Sequence, residues 1–333
     1  MHKSTRGPAR LVLVAVLLFF FGNAGAQVVI TAATVAAGGI TTGDTAGYPA
    51  TISTAGSFRL GSNLSLLTSP TGTHAIDITG SDVVLDLNGF SIRGKTTCTK
   101  VAGQSQGNSC VGVVPNSQFL IYITGSRVTV KNGTVLGSEG AGIAIDTDQV
   151  HLQSLHISNN KGEGIAAVAL ITGVSAIRTG LELIDVTSSM NGGLGLRGPG
   201  QNEGTVNIRD STFSDNNGGL LMWHGNVSDV IASYNSIYGI RAGRANLTHA
   251  TVYDNNGDGI SGGATIRDSI ADSNTTGFVS DAEGTLYVNA SASWNSLGFN
   301  LGPSGCYTNV NLFQNVTNFS GGVAITGTHV TCP

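Results

Sequence analysis

Charge is scarce in this chain. Lys, Arg, Asp and Glu together make up 11% of the 333 residues and aromatic residues 6%, against 48 glycines. An ordinary globular domain carries about a quarter charged residues and far less glycine. There is no basic tract, and nucleic acid is therefore excluded as a natural partner. There is no CxxC and no histidine pair near the cysteines, which leaves zinc without a ligand set. No Leu-x-x-Leu-x-Leu signature occurs, and apolar residues recur at period two rather than 3.6, so leucine-rich and helical repeats are both excluded.

The first 26 residues stand apart from the rest. Lys3, Arg6 and Arg10 precede an apolar run, Leu11 to Phe21, and Ala24-Gly25-Ala26 supplies the small-x-small pattern of a cleavage site. The run is about half the roughly 20 residues of a spanning helix, so residues 1–26 are expected to be a removed signal peptide. No later segment is apolar enough to span. The mature chain would be secreted, periplasmic or on the cell surface. Loss of three basic residues leaves 13 Lys+Arg against 20 Asp+Glu, a net charge near −7.

Four cysteines suit an oxidising compartment. Cys98 and Cys110 bracket a polar loop, and Cys306 and Cys332 bracket the C-terminal segment. Of the three pairings available, each cysteine with its sequence neighbour is the expected one.

What is present is a repeat. From residue 127 the chain returns to one pattern: an apolar pair, a two-residue break, a second apolar pair, an asparagine-rich break, then Gly and an apolar residue. TVNIRDSTFSDNNGGLLM and ANLTHATVYDNNGDGIS are two of eight units. The glycine falls at Gly142, Gly164, Gly195, Gly219, Gly239, Gly259, Gly277 and Gly298, in steps of 22, 31, 24, 20, 20, 18 and 21 residues. The long step holds an insertion, Val168–Gly180, expected to wall one end of the strand face. Three short alternating strands per unit of about 21 residues predict an all-β, single-stranded parallel β-helix, a solenoid with three strands per coil. Val206, Ile208, Phe213 and Leu220 are expected to point inward, with Leu247, Val252 and Ile260 above them two coils on.

Stacking the units in register aligns their turns. One column, at a tight bend, is Asn132, Ser154, Asp185, Asp210, Asp229, His249 and Asp268, residue types suited to a left-handed backbone. A second is Asn160, Asn191, Asn216, Asn235, Asn255, Asn274 and Asn295. The stretch DNNGDGI at Asp254–Ile260 begins like a calcium loop of the EF-hand or dockerin kind. Its twelfth position, however, is Thr265 where such a loop needs a bidentate acid, and its neighbours in the column carry no consistent acid. DNNGDGI is therefore expected to be a turn, with no metal site beyond a weak surface cation at Asp254 and Asp258. No cofactor is expected other than calcium at such a site.

Upstream, FRLGSNLSL and VVLDLNGFSIRG have the pattern of entry strands. With VVLDLNGFSIRG ahead of the repeats, residues 50–302 resemble secreted bacterial right-handed β-helix proteins of the pectate-lyase-like superfamily, which carry PbH1 repeats. The resemblance implies a right-handed coil. Its functional implication is broad, because that fold hosts lyases, hydrolases, epimerases, adhesins and binding proteins. The expected organisation is a signal peptide (1–26), an N-terminal cap (27–60), the β-helix (61–302) and a disulfide-bearing C-terminal cap (303–333).

The hydrolases of that fold carry catalytic acids just before the Gly-apolar strand, in motifs such as NTDG with a DD following. Here those places hold Ala141, Glu163, Leu194, Gly218, Tyr238, Asp258, Thr276 and Leu297. Glu163 and Asp258 lie four coils apart, about 19 Å at the spacing of neighbouring strands. Paired-carboxylate hydrolysis needs roughly 5 to 10 Å. An RIK motif is absent too. Lyase chemistry asks only for a base beside a uronate and a cation on its carboxylate. Basic and aromatic residues cluster in one place on a Ser/Thr/Gly/Asn surface: Arg197, Trp223, His224, Tyr238, Arg241 and Arg244. Such a patch suits an acidic sugar chain, arginine on carboxylate and tryptophan on a pyranose face. The leading expectation is a secreted β-helix that contacts acidic polysaccharide. The alternatives are a polysaccharide lyase and a structural or adhesive envelope protein. No oligomeric state follows from the sequence.

Overall fold

In the computed structural model the described residues are 27–69, 73–101, 107–111, 119–167, 178–201, 204–280 and 284–324. Among them the chain is a right-handed parallel β-solenoid of about 11 turns with one short helix, Ala32–Ala37. Strands stack in three ladders. Ladder A holds the strands that contain the repeat glycines, such as Leu194–Arg197, Gly218–Met222, Tyr238–Ala242 and Asp258–Gly262. Ladders B and C hold the two apolar pairs of each unit, and in the middle coils they merge into single bent strands such as Gly204–Ser214. Strands run from Val28 to Ala324, so both segments expected as caps contain strands. The proposed signal peptide, residues 168–177 of the insertion and Cys332 lie outside the described residues.

The inward columns follow from the alternation. Leu183, Ile208, Val227, Leu247, Ile266 and Tyr287 succeed one another in register along ladder B. Along ladder A the column is Leu196, Leu220, Ile240, Ile260, Phe278 and Phe299. All seven residues expected to point inward are at most 2% exposed. The C-terminal end is filled with rings, Phe278 on Phe299 at 4.7 Å and Phe299 on Phe319 at 5.4 Å, both stacked. Offset stacking of this kind adds to the burial of large apolar surface.

The corners obey the column logic. Every residue of the predicted bend has a left-handed backbone, with φ between 49° and 60° from Asn132 to Asp268. Single Asn and Asp residues tolerate that region because their short polar side chains bond locally. The carboxylates there face solvent and are met by neighbours, Asp210 by Arg209 at 3.2 Å and Asp229 by His249 at 3.3 Å.

The second column is a buried ladder. Each asparagine oxygen accepts the backbone N–H of the asparagine one coil earlier, at 2.8–3.1 Å from Asn160 through to Asn315. The amide nitrogens donate to carbonyls of the preceding ladder C strand, for example Asn255 to Ala232 at 3.1 Å. Polar groups buried at the corner are thus satisfied along the whole stack. The repeat glycines follow from this: a Cβ at any of the eight would stand 2.7–3.1 Å from an asparagine amide nitrogen of the next coil. Asparagine and glycine recur together because one fills the space the other vacates.

A two-stranded hairpin, Thr97–Lys100 with Asn108–Val111, leaves the coil and lies across its corners. Cys98 and Cys110 face each other in it and are disulfide-bonded, as expected. Its contacts reach three successive coils, at Asn159, Asn191 and Asp215. Cys306 is also disulfide-bonded.

Candidate functional site

The outward side of ladder A presents two columns of side chains. One is Glu163, Leu194, Gly218, Tyr238, Asp258 and Thr276; the other is Ala166, Arg197, Leu221, Arg241 and Ser261. On each strand an inward-facing repeat glycine and a buried apolar residue separate the two columns, so the break in alternation at the glycine leaves both columns on the outward side. The register places Glu163 and Asp258 four coils apart, as counted from the sequence, and the paired-carboxylate arrangement is not assembled.

Three of the six candidate residues converge. Arg197 and Arg241 are exposed in one column, and Tyr238 stands half-buried beside Arg241 on the same strand. Arg197 meets Glu163 at 3.6 Å. Burial raises the Tyr238 phenol above its usual range, with Arg241 and Arg197 opposing the shift, so it stays a neutral donor. Burial likewise raises the Asp258 carboxyl, opposed by a hydrogen bond with Thr276 and the charge of Arg241.

Trp223 begins the turn after its ladder A strand and lies half-buried against the next coil. Its ring covers Gly243, where a Cβ would fall 2.2 Å from the indole. Contact that close is open only to glycine. A cleft of about 270 Å³ results, lined among others by Leu221, Trp223, Arg241 and Ser261. It is at the small end for a ligand pocket, and it opens onto the ladder A face. Arg244 and His224 are set differently. The Arg244 N–H donates to the Trp223 carbonyl in the turn, and His224 opens the following ladder B strand in register with Thr205. Both flank the cleft rather than line it.

DNNGDGI divides between two places. Asp254 is at the corner with φ of 53°, Asn255 is a rung of the buried ladder, and Asp258 is on the outward face of the strand Asp258–Gly262. A strand follows where a calcium loop would lead into a helix. Among the described residues no three His, Cys, Asp or Glu side chains are grouped so as to hold a metal ion.

Counting by register also uncovers a group not singled out from the sequence. His74 and Asp77, then Phe119 and Tyr122, occupy the same two outward columns at the N-terminal end. His74 Nδ1 and Asp77 Oδ1 are 2.7 Å apart, and the Tyr122 hydroxyl donates to Asp146 at 3.4 Å. The missing signal was the asparagine-rich break, absent from these early coils.

No protein-family model and no curated protein sequence matches the chain. Among solved structures it is similar to a GH136 lacto-N-biosidase from Eubacterium ramulus, at 10% identity and TM-score 0.44, over 90% of this chain and 67% of that one. It is also similar to endopolygalacturonase I from Stereum purpureum, at 14% identity and TM-score 0.38, over 90% and 94%. A third is the Dettilon tailspike protein, at 10% identity and TM-score 0.33, over 76% of this chain; the chain spans 57% of the tailspike's length. At such identities these are likenesses of fold, and the architecture stands on the strand ladders themselves. The described part is a parallel β-solenoid of the kind the resemblance to pectate-lyase-like β-helix proteins implied. No helix among the described residues is long and apolar enough to cross a membrane.

Proposed function

We propose that the chain binds acidic polysaccharide on the outward face of ladder A, as a protein secreted, periplasmic or displayed at the cell surface after removal of residues 1–26. One observation carries the reading: Arg197 and Arg241 project from one column beside a cleft walled by Trp223. Guanidinium groups pair with carboxylates in a fixed fork, and an indole face covers the apolar face of a pyranose ring. Disulfide bonding at Cys98–Cys110 supports an oxidising location. The similar proteins include an endopolygalacturonase and a lacto-N-biosidase, names that place sugar polymers and oligosaccharides on this fold.

Retention on immobilised anionic polysaccharide tests the proposal. The double variant R197A/R241A is expected to elute at the void volume while keeping its melting temperature. Unchanged retention would remove the arginines from the interaction.

A lyase reading draws on Tyr238, a phenol set between two arginines. Its test is ultraviolet detection of unsaturated uronate products, with and without calcium. Absence of product from every anionic polymer retained would leave the binding reading alone.

A further inference from the structure

Resting on that reading, the face also states what kind of acidic polymer it suits. Five successive coils present, in order along the solenoid axis, an acidic, a basic, an uncharged, a basic and an acidic position. The first presents Glu163 and Ala166, the second Leu194 and Arg197, the third Gly218 and Leu221, the fourth Tyr238 and Arg241, the fifth Asp258 and Ser261. Among the described residues of these two columns, cations therefore stand on the second and fourth coils alone. The third coil is uncharged, and carboxylates flank the pair on the first and fifth.

Arg197 and Arg241 are two strand spacings apart, about 9 to 10 Å. An extended pyranose chain advances by close to one coil per ring, so its rings and the coils keep step. We infer that this face selects a polymer with one carboxylate per disaccharide, laid along the solenoid axis, over a polymer with a carboxylate on every sugar.

In the selected register the two acidic rings meet Arg197 and Arg241, and the neutral ring between them rests on the third coil. That coil is shaped for an uncharged ring. Over Gly218 the space is filled by its neighbours, since a Cβ there would lie 3.0 Å from the Tyr238 ring and 2.8 Å from Leu194, so the coil presents carbon rather than charge. Leu221 and Trp223 form the adjoining apolar wall of the cleft. When its carboxylates face the protein on successive rings, a polymer charged on every sugar sets one over Leu221 and others against Glu163 and Asp258. Desolvating an anion over an apolar side chain is unfavourable, and like charges on the flanking coils add repulsion. The face thus discriminates by repulsion as well as by attraction.

The test compares hyaluronan, unsulfated chondroitin and heparosan, each with one carboxylate per disaccharide, with polygalacturonate, which has one per sugar. Binding is measured by calorimetry at one ionic strength. At least one alternating polymer is expected to bind tenfold or more tightly than polygalacturonate. Equal or tighter binding of polygalacturonate would overturn the inference while leaving the acidic-polysaccharide reading in place. Binding of none of the four would overturn that reading itself. The variant L221R places a cation on the neutral coil and is expected to raise polygalacturonate affinity about tenfold with no gain for the alternating polymers. If L221R instead leaves the ratio between the two classes unchanged, the order of charge along the coils is not what selects.

Discussion

The two halves of the ladder A face share one backbone register and differ in everything they present. Toward the N-terminus, outward residues are packed against one another: Ala141, Ala144 and Ala166 are at most 2% exposed and Phe119 only 3%. His74, Phe119 and Tyr122 form a ring cluster with centroids 5.3–5.5 Å apart. Past Arg197 the same columns carry exposed arginines and an open cleft. Facing outward in a solenoid is therefore not the same as meeting solvent. The first half behaves as a second, smaller apolar core outside the coil, and the second half is the accessible surface.

The largest effect that would break this distinction comes from placing one residue type in both halves. Ala166→Arg forces a bulky charge into the outer apolar cluster and is expected to cost about 3–5 kcal/mol. Leu221→Arg, in the same column two coils away, is expected to stay within about 0.5 kcal/mol of the parent. Chemical denaturation of the two variants checks this. Similar stabilities would show that the N-terminal half is as open as the other.

Next in size is the corner ladder that supports both halves. Asn255→Ala removes the acceptor of the Asn235 N–H, 3.0 Å away, and leaves that buried donor without its partner. An unsatisfied buried group costs about 1–3 kcal/mol. The expected outcome is a melting temperature lowered by several degrees with the ladder A face still retained on polysaccharide. Loss of retention with no loss of stability would mean that Asn255 serves the face directly.

The comparison is sharpened by His74→Ala. His74 is 17% exposed and held against Asp77, so this variant is expected to leave retention within about twofold of the parent. A fall as large as that from losing an arginine would extend the binding face into the first half.

The smallest effect belongs to Asp258. Its carboxyl titrates above the ordinary range in the folded protein because burial disfavours its charged form. The folded state therefore holds the proton to higher pH than the unfolded state, and stability falls as pH rises from the ordinary carboxylate pKa through the raised one. Asp258→Asn is expected to raise the melting temperature slightly at pH 7, with the difference disappearing below the ordinary carboxylate range. A gain that persists unchanged in acid would assign the effect to something other than ionisation. The same substitution removes a carboxylate beside Arg241, so affinity for anionic polymer should rise with it.

Much of the architecture was legible because a solenoid turns position in the sequence into position in space. A period of about 21 residues fixes which residues stack, so the left-handed bend from Asn132 to Asp268 could be read by counting. The same count moved DNNGDGI out of the calcium-loop class and into a column of turns. The candidate site was legible only in part. Arg197 and Arg241 share a column that counting identifies, but the close approach of Trp223 to Gly243 depends on how a turn folds back across a coil. The pairing of Glu163 with Arg197 crosses one coil and joins two columns, a diagonal that no repeat position encodes.

Local sequence by itself determined the period, the inward columns, the bends and the asparagine rungs, because each depends on residues at set offsets within a coil or one coil away. Tertiary structure alone decided which outward residues are covered and which are open. It also decided that the repeat glycines exist to admit the asparagine amides, and that a disulfide-bonded hairpin lies across three coils. These depend on contact between segments whose approach is set by shape in three dimensions, and exposure is a property of everything that packs around a residue rather than of the residue.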